Sequence, residues 1–175
     1  MIHLLTYEEY EKSVQSDPLW KSYKARWQYH AEAIQLIKGL DINAPRQVLE
    51  IGSFGAGLVK GSDRMDLPDG EWSGKVEKGT ILHDARELPW PLHPLGRYRL
   101  VIALRVWHHL WPMQKECFME AKRISKYVLI ECPEQEIVGK GISRDDFLCW
   151  NYGVPPIALI DLGGWGIVYL WRGCL

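Results

Sequence analysis

The stretch Val48–Leu67, VLEIGSFGAGLVKGSDRMDL, sets an apolar run, a glycine-rich loop and an aspartate in close succession. Gln47 to Ile51 has the length and apolar content of a buried strand. Glycines after a strand let the backbone take positive φ and approach a ligand closely. A strand followed by a plain turn looks the same, so the loop alone decides nothing. The flanking sequence has to.

Short apolar runs separated by turns continue downstream. Arg64 to Leu67 and Thr80 to His83 are expected as short strands, and Tyr98 to Leu104 (YRLVIAL) and Tyr127 to Glu131 (YVLIE) as strong ones. Met113 to Ile124 between the last two is helical, with Phe118, Ala121 and Ile124 facing inward. Ser143 caps a short helix through RDDFLCW. Ile157 to Leu162 and Ile167 to Trp171 flank GGWG as two strands joined by a turn. Upstream, Asp17 as cap, Pro18 in the first position and Gly39 at the exit predict a helix over Pro18 to Lys38. Trp20, Tyr23, Trp27, Ile34 and Ile37 share its packing face.

Apolar strands alternating with helices predict an α/β fold, a mainly parallel sheet covered on both faces with an antiparallel C-terminal strand pair. The 175 residues suit one domain, an N-terminal helical segment over 1–44 and an α/β core over 45–175. A net charge of −1 supplies no general attraction to nucleic acid. Cys117, Cys132, Cys149 and Cys174 form no CxxC pair, which argues against a zinc knuckle or a disulfide-stapled secreted domain. No run approaches the roughly 20 apolar residues of a membrane span, and the N-terminus is unlike a signal peptide. A soluble cytoplasmic protein is expected.

Sheets of this kind bind ligands outside the carboxyl ends of their strands. That rule singles out the loops after Ile51, Asp66, His83, Leu104 and Glu131. Asp66 is placed either to accept hydrogen bonds from ribose hydroxyls or to serve as a turn aspartate, with Asp63 as competitor. Asp84 and Ala85 either contact an adenine or form a helix cap. His108 and His109 supply imidazoles suited to general-base work. As a metal site the pair is poor, because adjacent residues diverge and no third ligand stands nearby; no metal is expected.

Taken in order, these stretches resemble the class I S-adenosylmethionine-dependent methyltransferases from about Val48 to Glu134. VLEIGSFGAG looks like the first motif, DRMD like the second strand with its ribose acid, and LHDARELPWPL like the adenine loop. YRLVIALRVWHHL is similar to the fourth motif, and EAKRISKYVLIECPE to the helix and strand that follow. The resemblance implies a Rossmann-like three-layer sandwich and S-adenosyl-L-methionine as cofactor. It implies Glu50, Gly52, Ser53, Phe54, Gly55 and Gly57 near the methionine part, Asp66 at the ribose, Asp84 and Ala85 at the adenine, and Leu104 beside them. His108 and His109 become the candidate catalytic bases, with Glu131 a weaker one. The acceptor is expected to be a small molecule; the family's NPPY-type motif for base or glutamine amino groups is missing, so nucleic acid is disfavoured.

Two departures stand out. Phe54 replaces the second motif glycine. Only residues 53–65 separate Gly52 from Asp66, where dinucleotide folds place the acid about 20 residues on, after a full helix. The first crossover helix is therefore expected to be reduced to a loop. Either the shortened site still works, or Phe54 fills it and the chain is a non-catalytic cofactor-binding or protein-interaction module. A nicotinamide oxidoreductase fits less well, for lack of an orderly GxGxxG. Aromatic residues before Ala44 (Trp20, Tyr23, Trp27, Tyr29, with His30) and the segment GKGISRDDFLCWNYGVPP are the expected specificity elements, or else a homodimer contact.

Overall fold

A computed structural model describes residues 2–16, 22–53, 55–67, 79–91, 97–133 and 142–174. Asp17, Pro18, Trp20 and Phe54, on which expectations rested, lie outside the described residues. The strands are β1 (Val48–Ile51), β2 (Asp63–Asp66), β3 (Ile81–Leu82), β4 (Tyr98–Leu104), β5 (Ser125–Cys132), β6 (Ala158–Asp161) and β7 (Ile167–Arg172). They form one sheet in the order β3-β2-β1-β4-β5-β7-β6. Neighbours from β3 through to β5 are parallel. The closing pair is antiparallel as expected, but β7 inserts between β5 and β6 and opposes both. One strand, not two, thus runs against the sheet.

Alternation along the strands divides the core into two layers, because successive side chains leave opposite faces. Val101, Ala103, Val128, Ile130, Tyr169 and Trp171 join one layer. Leu100, Ile102, Leu129, Val168 and Leu170 join the other. Helices α3 (Gln114–Ile124) and α4 (Arg144–Trp150) cover the first through Phe118, Ala121 and Phe147. The second is covered by α2 (Tyr23–Lys38) through Tyr29, Ala33, Ile34 and Ile37. This is the three-layer sandwich. Ser143 caps α4 in a reciprocal box with Asp146, whose carboxylate accepts from the Ser143 N–H at 2.8 Å.

One helix escaped the sequence reading: α1 (Tyr7–Val14). Its signal was present in TYEE, since Thr6 and Glu9 form a capping box. Eight residues make a marginal helix alone, and α1 is held by burying Tyr10 and Val14 against Trp27, Tyr23 and Ala56. That support comes from residues distant in sequence.

Between β1 and β2 the described residues contain no helix. Parallel strands need a crossover, usually helical, and here an extended N-terminal segment lies along the loop instead. Leu4 bridges Val59 in antiparallel fashion. The Leu5 N–H donates to the Leu58 carbonyl at 2.9 Å, and the Lys60 N–H to that of His3 at 3.0 Å. Ile2, Leu4 and Leu5 pack beside Leu58 and Val59 in the α2-side layer. The main-chain groups of the shortened loop therefore find partners in the first residues of the chain.

Candidate functional site

A cavity of about 560 Å³ opens at the carboxyl ends of β1, β2 and β4, within the range of small-molecule sites. Gly52 and Ser53 line it from the loop after β1, and Asp66 and Leu67 from the end of β2. His83, Asp84, Ala85 and Arg86 follow β3, and Leu104, Arg105, Val106, His108 and His109 follow from β4. Ser22, Arg26, Tyr29 and His30 close it from α2, and Gly164 and Trp165 from the β6–β7 turn.

Gly52 is glycine for two physical reasons. Its φ of 63° lies in the left-handed region, and a Cβ there would sit 2.5 Å from Cγ2 of Val106. The Ser53 hydroxyl is buried with no hydrogen-bond partner among the described residues, and Ser53 lines the cavity. Gly55 and Gly57 do not line the cavity. A Cβ on Gly57 would fall 2.6 Å from a guanidinium nitrogen of Arg64, so that glycine makes room for a side chain. Glu50 is buried beneath the loop. Its carboxylate accepts from the N–H of Leu58 at 2.6 Å, the N–H of Val59 at 2.9 Å and the Ser62 hydroxyl at 2.7 Å. Burial pushes its carboxyl up, while these donors and Arg64 pull it back.

Asp66 ends β2 with no side-chain hydrogen bond among the described residues, and burial pushes its carboxyl up to about 6. A half-buried carboxylate without a donor is costly, unless a ligand supplies one. Asp63 does not line the cavity. It starts the same strand, opposite Leu49, where it accepts from the Tyr98 hydroxyl at 3.2 Å and faces Arg46. Asp84 is already engaged: its Oδ1 accepts from the Arg86 N–H at 2.9 Å and from Arg86 Nε at 3.0 Å, and that pairing holds its carboxyl below the usual range. Ala85 is buried, with its carbonyl accepting from the Trp90 indole at 2.7 Å.

His108 and His109 lie on one 3-10 turn, Trp107–Leu110, with ring centroids 3.9 Å apart. His108 is buried, its Nδ1 has no partner among the described residues, and burial assisted by the charges of His109 and Arg105 pushes its pKa down to about 4. His109 is exposed. The weaker base candidate, Glu131, does not line the cavity. It is fully buried behind Arg105, and burial raises its carboxyl to about 7.

No protein-family model and no curated protein matches this sequence. Solved structures do share its architecture. The PH0226 protein of Pyrococcus horikoshii OT3 superposes with a TM-score of 0.62 at 13% identity, covering 95% of this chain and 97% of that one. A SAM-dependent methyltransferase from Aquifex aeolicus gives 0.51 at 11% identity, over 79% and 87%. Magnesium protoporphyrin IX methyltransferase from Synechocystis PCC 6803, solved with SAM bound, gives 0.50 at 10%, over 82% and 77%. The fold is that of the class I S-adenosylmethionine-dependent methyltransferases.

On this methyltransferase fold, Glu50, Gly52, Ser53, Asp66, Asp84, Ala85, Leu104, His108 and His109 from the sequence reading all line one cavity. Tyr29 and His30, expected as specificity elements, line it too. The described part of GKGISRDDFLCWNYGVPP does not; α4 packs Phe147 into the layer shared with α3. The sequence reading missed Arg105, Arg26 and Trp165. Arg105 takes a positive φ of 59°; its N–H reaches the Glu131 carbonyl at 3.1 Å and the Glu131 carboxylate at 3.0 Å. A left-handed arginine leaves no pattern in the sequence, because the contacts that hold it come from β5.

Proposed function

We propose that the protein is an S-adenosylmethionine-dependent methyltransferase acting on a small-molecule acceptor. The observation that carries this reading is the convergence on one cavity of the left-handed Gly52 turn with two groups that lack protein partners among the described residues, the Ser53 hydroxyl and the Asp66 carboxylate. These residues suit the cofactor. Asp66 accepts from ribose hydroxyls, the Gly52–Ser53 loop lies against the methionine part, and Ala85, Leu104 and the Asp84 loop flank the adenine. Glu50 and Gly57 act one step back, Glu50 by holding the loop backbone and Gly57 by admitting Arg64.

When bound, the cofactor supplies an electrophilic methyl on a sulfonium. The chain's own contribution is alignment and exclusion of water. Tyr29 and His30 of α2 and Trp165 roof the cavity. Burial keeps His108 neutral, which leaves its imidazole a lone pair for a proton but makes it a weak base; His109, on the exposed rim, is the alternative base. Calorimetry with S-adenosylhomocysteine tests the binding half of this reading, and absence of heat from folded protein sinks it. Mass spectrometry for methylated products tests the other half.

A second reading, a non-catalytic cofactor-binding member of the fold, has one observation in its favour: Asp84 is already paired with Arg86. Cofactor binding without methyl transfer to hydroxyl, amine, thiol or carboxylate acceptors would decide for it.

A further inference from the structure

The acids that line the cavity, Glu50, Asp66 and Asp84, come from β1, β2 and the loop after β3, with Arg86 beside them paired to Asp84. The opposite wall is built from Tyr29 and His30 of α2, Trp165, and Arg105 and His108 after β4, with Arg26 alongside. Among the described residues, no carboxylate lines that wall.

Arg105 is the hub of the wall. Its guanidinium carbon lies 5.2 Å from the Tyr29 ring centre and 6.0 Å from that of Trp165, and an Nη donates to the Trp165 carbonyl. Its Nε faces Glu131 Oε1 at 3.2 Å without hydrogen-bond alignment. Its guanidinium also hydrogen-bonds the Tyr29 side chain, and the arginine, 18% exposed, lines the cavity. The positive field is visible in the neighbours: Arg105 adds to the forces keeping His108 neutral, and Arg26 does the same at His30.

Resting on the methyltransferase reading above, we propose that the acceptor is a small aromatic carboxylate, its anionic group held by Arg105 and its ring against the Tyr29–Trp165 wall. A planar guanidinium matches a carboxylate's two oxygens, and the aromatic lining suits a flat apolar body. A neutral amide of the same shape offers no charge to this wall.

Glu131 makes the preference sensitive to pH. It contacts Arg105 after β4 and feels the charges of Arg26 from α2 and the neighbouring Tyr29 and Cys132; the backbone of Gly166 lies close, where a Cβ would fall 2.8 Å from Oε1. Burial holds the Glu131 carboxyl up to about 7. Below that pH the neutral acid leaves the Arg105 charge to the ligand. Above it, the ionised carboxylate competes for the same guanidinium.

The test is calorimetry on protein saturated with S-adenosylhomocysteine, titrated with 4-hydroxybenzoate and with neutral 4-hydroxybenzamide near pH 6 and near pH 8. The acid is expected to bind at least about tenfold tighter than the amide near pH 6, as one charge-assisted bond predicts, and the margin shrinks near pH 8. Arg105→Gln is expected to abolish the preference while retaining S-adenosylhomocysteine binding, which also reports its folding. Glu131→Gln is expected to keep the preference and lose the pH dependence. Equal binding of acid and amide, no binding of either, or a preference that survives in Arg105→Gln overturns the proposal. Failure of S-adenosylhomocysteine itself to bind overturns the cofactor reading and, with it, this one.

Discussion

Glu50 Oε1 accepts a hydrogen bond from the main-chain N–H of Val59 at 2.9 Å, so the acid of β1 holds the loop that replaces the first crossover helix. With Leu58 and Ser62 as further donors, one buried carboxylate organises the entire turn from β1 to β2. Glu50→Gln keeps the shape but sets an NH2 donor against N–H groups. A loss of about 1–3 kcal/mol is expected, measured by urea denaturation of the ligand-free protein. An unchanged midpoint would show that the loop holds itself.

Gly52→Ala combines a strained left-handed φ with a collision against Val106. The variant is expected to lose about 1–3 kcal/mol. Val106→Ala relieves the collision but not the strain, so the double variant should recover part of the loss. A double-mutant cycle reads the coupling directly; strict additivity would mean the side chains never met.

Asp66 links function to pH with a definite sign. Its folded carboxyl, near 6, lies above the ordinary 3.8, so the native state holds its proton more tightly than the unfolded chain. Its contribution to stability is full below about pH 4 and is lost as pH rises through 6. Asp66→Asn should therefore be the more stable protein at pH 7, and should weaken S-adenosylhomocysteine binding by about 1.5–3 kcal/mol. In the unmodified protein, cofactor affinity is expected to fall as pH drops through 6. A variant that binds the cofactor normally would remove Asp66 from the ribose role.

The buried imidazoles carry the opposite sign. His30 and His108 both titrate at about 4, against an ordinary 6.5, chiefly because burial penalises the charged ring. Stability from these two is complete above 6.5 and is lost as pH falls toward 4. Proton NMR of the ring resonances should place both midpoints well below 6. A midpoint for His108 near 6.5 would mean that its ring is solvated.

The N-terminal segment is expected to protect the shortened loop. Leu5→Pro removes the N–H that reaches the Leu58 carbonyl. Hydrogen exchange at the Val59 and Lys60 amides should accelerate, with a lower melting temperature. Exchange as slow as in the parent would mean that Glu50 alone secures the loop.

Much of the fold was legible because its signals are local. YRLVIAL and YVLIE read as buried strands from composition alone, and β4 and β5 are Tyr98–Leu104 and Ser125–Cys132. RDDFLCW with its Ser143 cap matched α4 residue for residue. The short strand β2 drifted by one residue: Arg64 to Leu67 was expected and Asp63–Asp66 found, since pairing with β1, not propensity, sets the ends.

The sequence by itself determined the strand–glycine–acid order, the missing crossover helix and the cluster of polar residues at the carboxyl edge, all of which follow from period, turn chemistry and chain length. Only the tertiary structure decided how those residues divide their work. Glu50 turned inward to hold the loop, Gly57 made room for Arg64, Asp63 went to the far end of β2, and Asp66 and Ser53 were left without partners among the described residues beside the cavity. It also brought Arg105 against Tyr29 of α2 and Trp165 of the last turn. The physical reason is that hydrogen-bond satisfaction and burial are properties of three-dimensional neighbours, and those neighbours are far apart along the chain.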